Sequence, residues 1–96
     1  MTTRFSSKDP GETVRVGFNF KAPVANPAVT VTVRVGEDDS PADILSGAPI
    51  VSGNWVYHDI VAGEDGVDYE LDCFGDVDGQ RLLIDAILPV RARPAA

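Results

Sequence analysis

Asp65-Gly66-Val67-Asp68-Tyr69-Glu70-Leu71-Asp72-Cys73-Phe74 alternates strictly. Side chains repeat every second residue along a strand, so Val67, Tyr69, Leu71 and Cys73 share one face and Asp68, Glu70 and Asp72 the other. A break, Gly75-Asp76-Val77-Asp78-Gly79, separates it from a second run, Gln80 to Val90, with Leu82, Ile84, Ala86, Leu88 and Val90 in one row. Two alternating runs joined by a short Asp/Gly segment predict a β-hairpin, the centre of the core.

Outward from this hairpin the pattern recurs. Glu12 to Lys21 places Val14, Val16, Phe18 and Phe20 on one face. Ala22 to Pro27 reads as a connection, because its prolines deny ladder hydrogen bonds. Ala28 to Val35 is a β-branched strand with Val29, Val31, Val33 and Val35 inward. Ser40 and Pro41 predict a single helical turn, capped by Ser40, from which Ile44 and Leu45 plug one end of the core. Pro49 to Gly53 is a short edge strand or crossover. Asn54 to Ala62 is a strand with apolar bulk on both faces: Val56, His58 and Ile60 on one, Trp55, Tyr57, Asp59 and Val61 on the other.

Residues 1–11 are polar and read as an arm, in which Phe5 alone has an apolar reason to dock; 12–91 form the domain and 92–96 a short tail. The expected fold is all-β: a small antiparallel β-sandwich of six or seven strands with an N-terminal arm. Asp65 to Tyr69 also resembles the tyrosine corner of immunoglobulin-like domains, in which a Tyr four residues after an Asp bonds backbone near the turn. Cys73 has no partner for the disulfide of such domains.

The 96 residues amount to one domain, and size scaling predicts that folding buries roughly 64% of the unfolded surface. A net charge of −7 argues against nucleic acid, which needs clustered Lys and Arg, and against an anionic membrane surface. A single cysteine rules out an intrachain disulfide and fits a reducing cytoplasm. The N-terminus does not read as a signal peptide, and no run approaches the ~20 apolar residues of a membrane helix.

Eight acids and no Lys or Arg lie between Asp59 and Asp78. Calcium takes six to eight oxygens, and Asp76-Val77-Asp78-Gly79 resembles a fragment of a calcium loop, but without the later ligands and the bidentate Glu. The plainer reading is a solvated strand face that discourages pairing with another sheet. His58 is the single histidine; Ser46 and Ser52 are candidate nucleophiles, but no Gly-x-Ser-x-Gly turn presents either. Cys73 shares the apolar parity and reads as a small buried hydrophobe. No catalytic residue, metal ligand or cofactor site is expected. The features that point to partners are Leu83 and Ile87, on the polar side of the last strand, Trp55 and Tyr57, which crowd the outer parity of theirs, and Phe5 of the arm.

Four stretches carry a family resemblance: Ser7-Lys8-Asp9-Pro10-Gly11-Glu12 followed by the Phe18-Asn19-Phe20 strand; Leu45-Ser46-Gly47-Ala48-Pro49-Ile50; Gly63 to Cys73; and Leu88-Pro89-Val90-Arg91. In this order, over about Lys8 to Arg91, the chain resembles the small virion proteins of tailed bacteriophages described as fibre–tail adaptor-like. It departs at Gly63-Glu64, where such families often carry Gly-Gly. The resemblance implies an immunoglobulin-like sandwich and a non-enzymatic structural role on tail, neck or capsid, carrying fibres or decorating the shell. Other virion structural proteins would be its partners, in multiple copies of a symmetric particle assembled from protein made in the host cytoplasm. The alternatives are a free-standing module that binds a carbohydrate or cell-surface ligand through Trp55 and Tyr57, and a calcium-dependent module.

Overall fold

The computed structural model describes residues 3–93. Seven strands, β1 (Thr3–Arg4), β2 (Val14–Asn19), β3 (Ala25–Val35), β4 (Leu45–Ser52), β5 (Trp55–Ile60), β6 (Asp68–Val77) and β7 (Gln80–Pro89), form two sheets. One runs β1-β7-β6-β3, the other β2-β5-β4. The fold is all-β, and the inner rows of both sheets fill one core: Val16, Phe18, Val56 and Ile60 from the smaller sheet meet Tyr69, Leu71, Cys73, Ala86 and Leu88 from the larger.

The central hairpin is present and longer than expected. β6 and β7 pair from Asp68↔Pro89 to Val77↔Gln80, so the turn is only Asp78-Gly79. Both residues have positive φ, 50° and 78°, as a two-residue turn matched to strand twist requires. Gly75 belongs to the ladder and not to a break. A Cβ there would stand 2.4 Å from Val24 and 3.2 Å from Phe20, so glycine at 75 makes room for the segment that crosses it.

Three other expectations are corrected. β3 begins at Ala25 and keeps Pro27 by shifting register between Ala25 and Ala28. A second shift after Val33 sets Val35 opposite Asp68, turning Val35 outward, 55% exposed. The helical turn Pro41–Ile44 forms and buries Ile44, but the Ser40 side chain does not cap it; Asp38 Oδ1 accepts the Ser40 N–H instead.

The segment that reads as an arm pairs with β7. β1 lies parallel to β7, Thr3 beside Ala86 and Arg4 beside Ile87. Parallel partners need a long connection, and the intervening domain supplies it. Phe5 N–H bonds the Ile87 carbonyl, Lys8 N–H the Pro89 carbonyl, and Arg91 N–H the Lys8 carbonyl. Lys8 is buried, its Nζ donating to the carbonyls of Ala62 at 2.6 Å and Asp9 at 2.8 Å. A lysine can bury its four-carbon stem wherever its ammonium finds acceptors, and the β5–β6 connection provides one here. The segment that reads as a polar arm is stitched to the chain's own last strand.

Candidate functional site

Val56, His58 and Ile60 are the inward row of β5, which turns Trp55 and Tyr57 out onto the face of the smaller sheet. Their rings stack, 5.8 Å apart and 8° from parallel. Gly17 of β2 lies beneath: a Cβ there would stand 2.9 Å from Tyr57 and 3.0 Å from Trp55. The absent side chain lets both rings lie down on the strand. Ile50, opposite Tyr57 on β4, extends the patch and is exposed, as is Trp55. Arg15 closes one end, with Nε 2.8 Å from Asp59 Oδ1.

The other expected interface residues separate. Leu83, 52% exposed on β7, is on the surface with Leu82. Ile87 is buried. Arg4, beside it in register, reaches over β7 to Asp68 on β6 at 3.5 Å, and its side chain crosses the sheet at that level. Phe5 packs on the core, edge-on to Phe18 at 5.8 Å between ring centroids. Phe5 and Ile87 therefore serve the chain's own fold, and Trp55, Tyr57 and Leu83 remain at the surface.

The acidic row of β6 is an ion-paired face. Asp68 is held by Arg91 at 2.7 Å and by Arg4, and Glu70 by Arg34 at 2.6 Å. Asp76, weighed as a calcium ligand, accepts from the Asn26 amide at 2.9 Å and from Arg81 at 3.0 Å, which in that order hold its carboxyl below the usual range. The cations come from β1, β3, β7 and the C-terminal segment, so the acid run could not show them. Among the described residues no group of His, Cys, Asp and Glu is arranged to hold a metal ion.

Asp72 differs. It stands opposite Asp85, its buried Oδ1 has no hydrogen-bond partner, and burial, then Glu70 and Asp85, push its carboxyl above the ordinary range. A raised value means that the folded chain binds the proton more tightly than the unfolded chain. Stability therefore falls as pH rises from the unfolded carboxylate value, ~4, through the folded one, and the penalty is complete above it. Asp72→Asn should melt higher than the parent at neutral pH, with the gap closing in acid. A lower melting temperature at neutral pH would mean that the charge is already compensated.

His58 is buried, and its Nδ1 donates to the Asp59 carbonyl at 2.9 Å. Ser46 and Ser52 are exposed on β4. Burial pushes the Cys73 thiol up to about 11, which suppresses the thiolate.

Tyr69 is fully buried. Its hydroxyl accepts the Glu64 N–H at 2.9 Å, the backbone bond expected of the corner, and donates to Asp38 Oδ2 at 2.6 Å. The Asp38 contact, from the loop after β3, had no signal in sequence. Burial and the Asp38 bond push the phenol up to about 12, so it stays a donor at any ordinary pH.

No family model and no curated protein matches this sequence.

Proposed function

We propose that this chain is a non-enzymatic structural module of a tailed-bacteriophage virion, an immunoglobulin-like β-sandwich that docks onto other virion proteins of the tail, neck or capsid. The observation that carries the reading is the apolar patch of Ile50, Trp55 and Tyr57 on the face of the smaller sheet, with its two rings stacked. Large apolar side chains held rigid on one sheet face suit permanent burial against a partner. The strand order, the Tyr69 corner and the resemblance carried by the four quoted stretches support the sandwich type. The partners are other virion structural proteins, met in several copies of a symmetric particle built in the host cytoplasm.

The test pairs a melt with an infection. Ile50→Ser with Trp55→Ser changes exposed side chains and should leave the melting temperature within a few degrees of the parent. Complementation with this variant should yield particles that lack it. Normal incorporation would overturn the patch as the docking face, and absence of the parent protein from purified particles would overturn the virion reading. A glycan array run on the same pair addresses the sugar-binding alternative: binding by the parent that is lost in the variant would replace the virion reading.

A further inference from the structure

The connection between β5 and β6 is anchored by backbone at its two ends. Val61 N–H bonds the Ile44 carbonyl and Gly66 N–H the Val90 carbonyl, each at 2.9 Å. Between these anchors, side chains hold it to the rest of the fold. Lys8 Nζ donates to the Ala62 carbonyl at 2.6 Å, the Tyr69 hydroxyl accepts the Glu64 N–H at 2.9 Å, and Asp65 Oδ1 accepts the Ala92 N–H at 2.8 Å. The backbone here is under load. Ala62 has φ 51°, a left-handed conformation that crowds its Cβ against the following carbonyl. Gly63 follows at φ 100°, where a Cβ would stand 3.0 Å from Val90.

A second load is electrostatic. Glu37, Asp38, Asp39 and Asp43, from the loop after β3 and its helical turn, line one hollow of about 440 Å³ with Glu64 of the connection. Each arginine is paired elsewhere, with Asp68, Asp59, Glu70, Asp76 or Glu12, and Lys8 is committed to carbonyls. The carboxylates therefore repel one another with no cation among the described residues that line the hollow. The Tyr69 hydroxyl ties the acidic loop to the connection, donating to Asp38 at 2.6 Å while it accepts from Glu64. If Ala62 relaxes, Glu64 leaves that hydroxyl and the charged walls of the hollow part.

We propose that the N-terminal segment is a strap that keeps this end of the molecule closed. Seated on β7, it carries Lys8 to Ala62 and holds the connection in its left-handed form against both loads. When residues 3–8 are lifted from β7, the Lys8 bond breaks, Ala62 returns to an ordinary conformation, and the loop 37–43 opens while the two sheets stay paired. Linkage of this kind is reciprocal, so whatever prises the acidic loop open also loosens the segment's hold. The strap belongs to the isolated chain and does not depend on what the Trp55 and Tyr57 patch docks onto.

Hydrogen exchange in the isolated protein is the test. The Ser40 N–H, held by Asp38, and the Glu64 N–H, held by Tyr69, report the loop and the connection; Leu71 and Cys73, paired with β7, report the sheets. Lys8→Met keeps most of the buried stem and removes the ammonium. Exchange at Ser40 and Glu64 should quicken about tenfold more than at Leu71 and Cys73, as local opening requires. That excess should shrink between ~0.01 M and ~1 M NaCl, as the screening length falls from about 30 Å to about 3 Å. Ala62→Gly suits the left-handed backbone and leaves Lys8 in place, so it should slow exchange at both amides relative to the sheets; it serves if Lys8→Met does not fold. An equal rise at all four amides, or no rise, would make Lys8 a packing residue and overturn the strap. So would an excess that salt leaves unchanged, or exchange at Glu64 that is unchanged or faster in Ala62→Gly.

Discussion

Deleting residues 1–8 should lower the unfolding free energy by about 4 kcal/mol or more, out of a total of about 5–15 for a domain of this kind. At ~4–8 °C per kcal/mol, the melting temperature should fall by roughly 20 °C. The loss has named parts. The Phe5 ring leaves its packing against Phe18, three backbone bonds to the last strand and the chain after it disappear, and the Lys8 stem leaves the core while the Ala62 carbonyl loses its partner. Lys8→Ala isolates the last part and should cost about 2–4 kcal/mol by itself, as large-to-small changes in cores do. Lys8→Met keeps most of the stem and should recover part of that loss. Denaturant melts of the three proteins measure it. An unchanged melting temperature for the truncated chain would return the segment to the role of a free arm.

Tyr69→Phe should cost about 2–3 kcal/mol, and Tyr57→Phe close to nothing. The Tyr69 hydroxyl is buried and makes two bonds, one to a carboxylate; bonds to charged groups are worth ~1.5–3 kcal/mol, and the Glu64 N–H is left without its acceptor. The effect also depends on pH. The Tyr69 bond, then the Ser40 N–H, hold Asp38 below the ordinary carboxylate range. A carboxyl lowered by folding contributes stability above its unfolded value, and this is lost as pH falls through the folded value. Tyr69→Phe should therefore lose less than the parent on acidification. Parallel pH curves for the two proteins would show that Asp38 is not tied to the corner.

What could be read in advance was what repeats locally. The inward row Tyr69, Leu71 and Cys73 and the corner bond at Tyr69 were legible, because period two and a turn residue at fixed offset are properties of the chain itself. Val35 was misread because one extra residue at the bulge inverts every later parity and leaves no trace in composition. Gly75 looked like a breaker, and only the passage of Val24 and Phe20 across β6 explains it. The acid face looked unpaired because Arg4, Arg34 and Arg91 reach it from other strands and the C-terminal segment. Lys8 was hardest: a lysine between serines and an aspartate is typical of solvated chain, and its acceptor at Ala62 lies 54 residues away. Among the interface candidates, the exposure of Leu83 followed from parity. The strand of Trp55 and Tyr57 carried apolar bulk on both faces, so its outward row could not be chosen from the sequence, and Ile87 lies beside β1, a strand that parity could not foresee.

The parallel seating of β1 on β7 also determines how the domain meets a mechanical load. When the two ends of the chain are pulled apart, the first strand is drawn one way and the last the other, along their common axis. The bonds from Phe5 to Ile87, Lys8 to Pro89 and Arg91 to Lys8 lie across that direction. They are sheared together, whereas an antiparallel pair pulled at its open end parts one bond at a time. The buried Lys8 ammonium ties the same segment to Ala62 of the β5–β6 connection. Tension applied through the termini therefore meets the domain where its cross-links act in concert, and rupture requires the whole seam to fail at once.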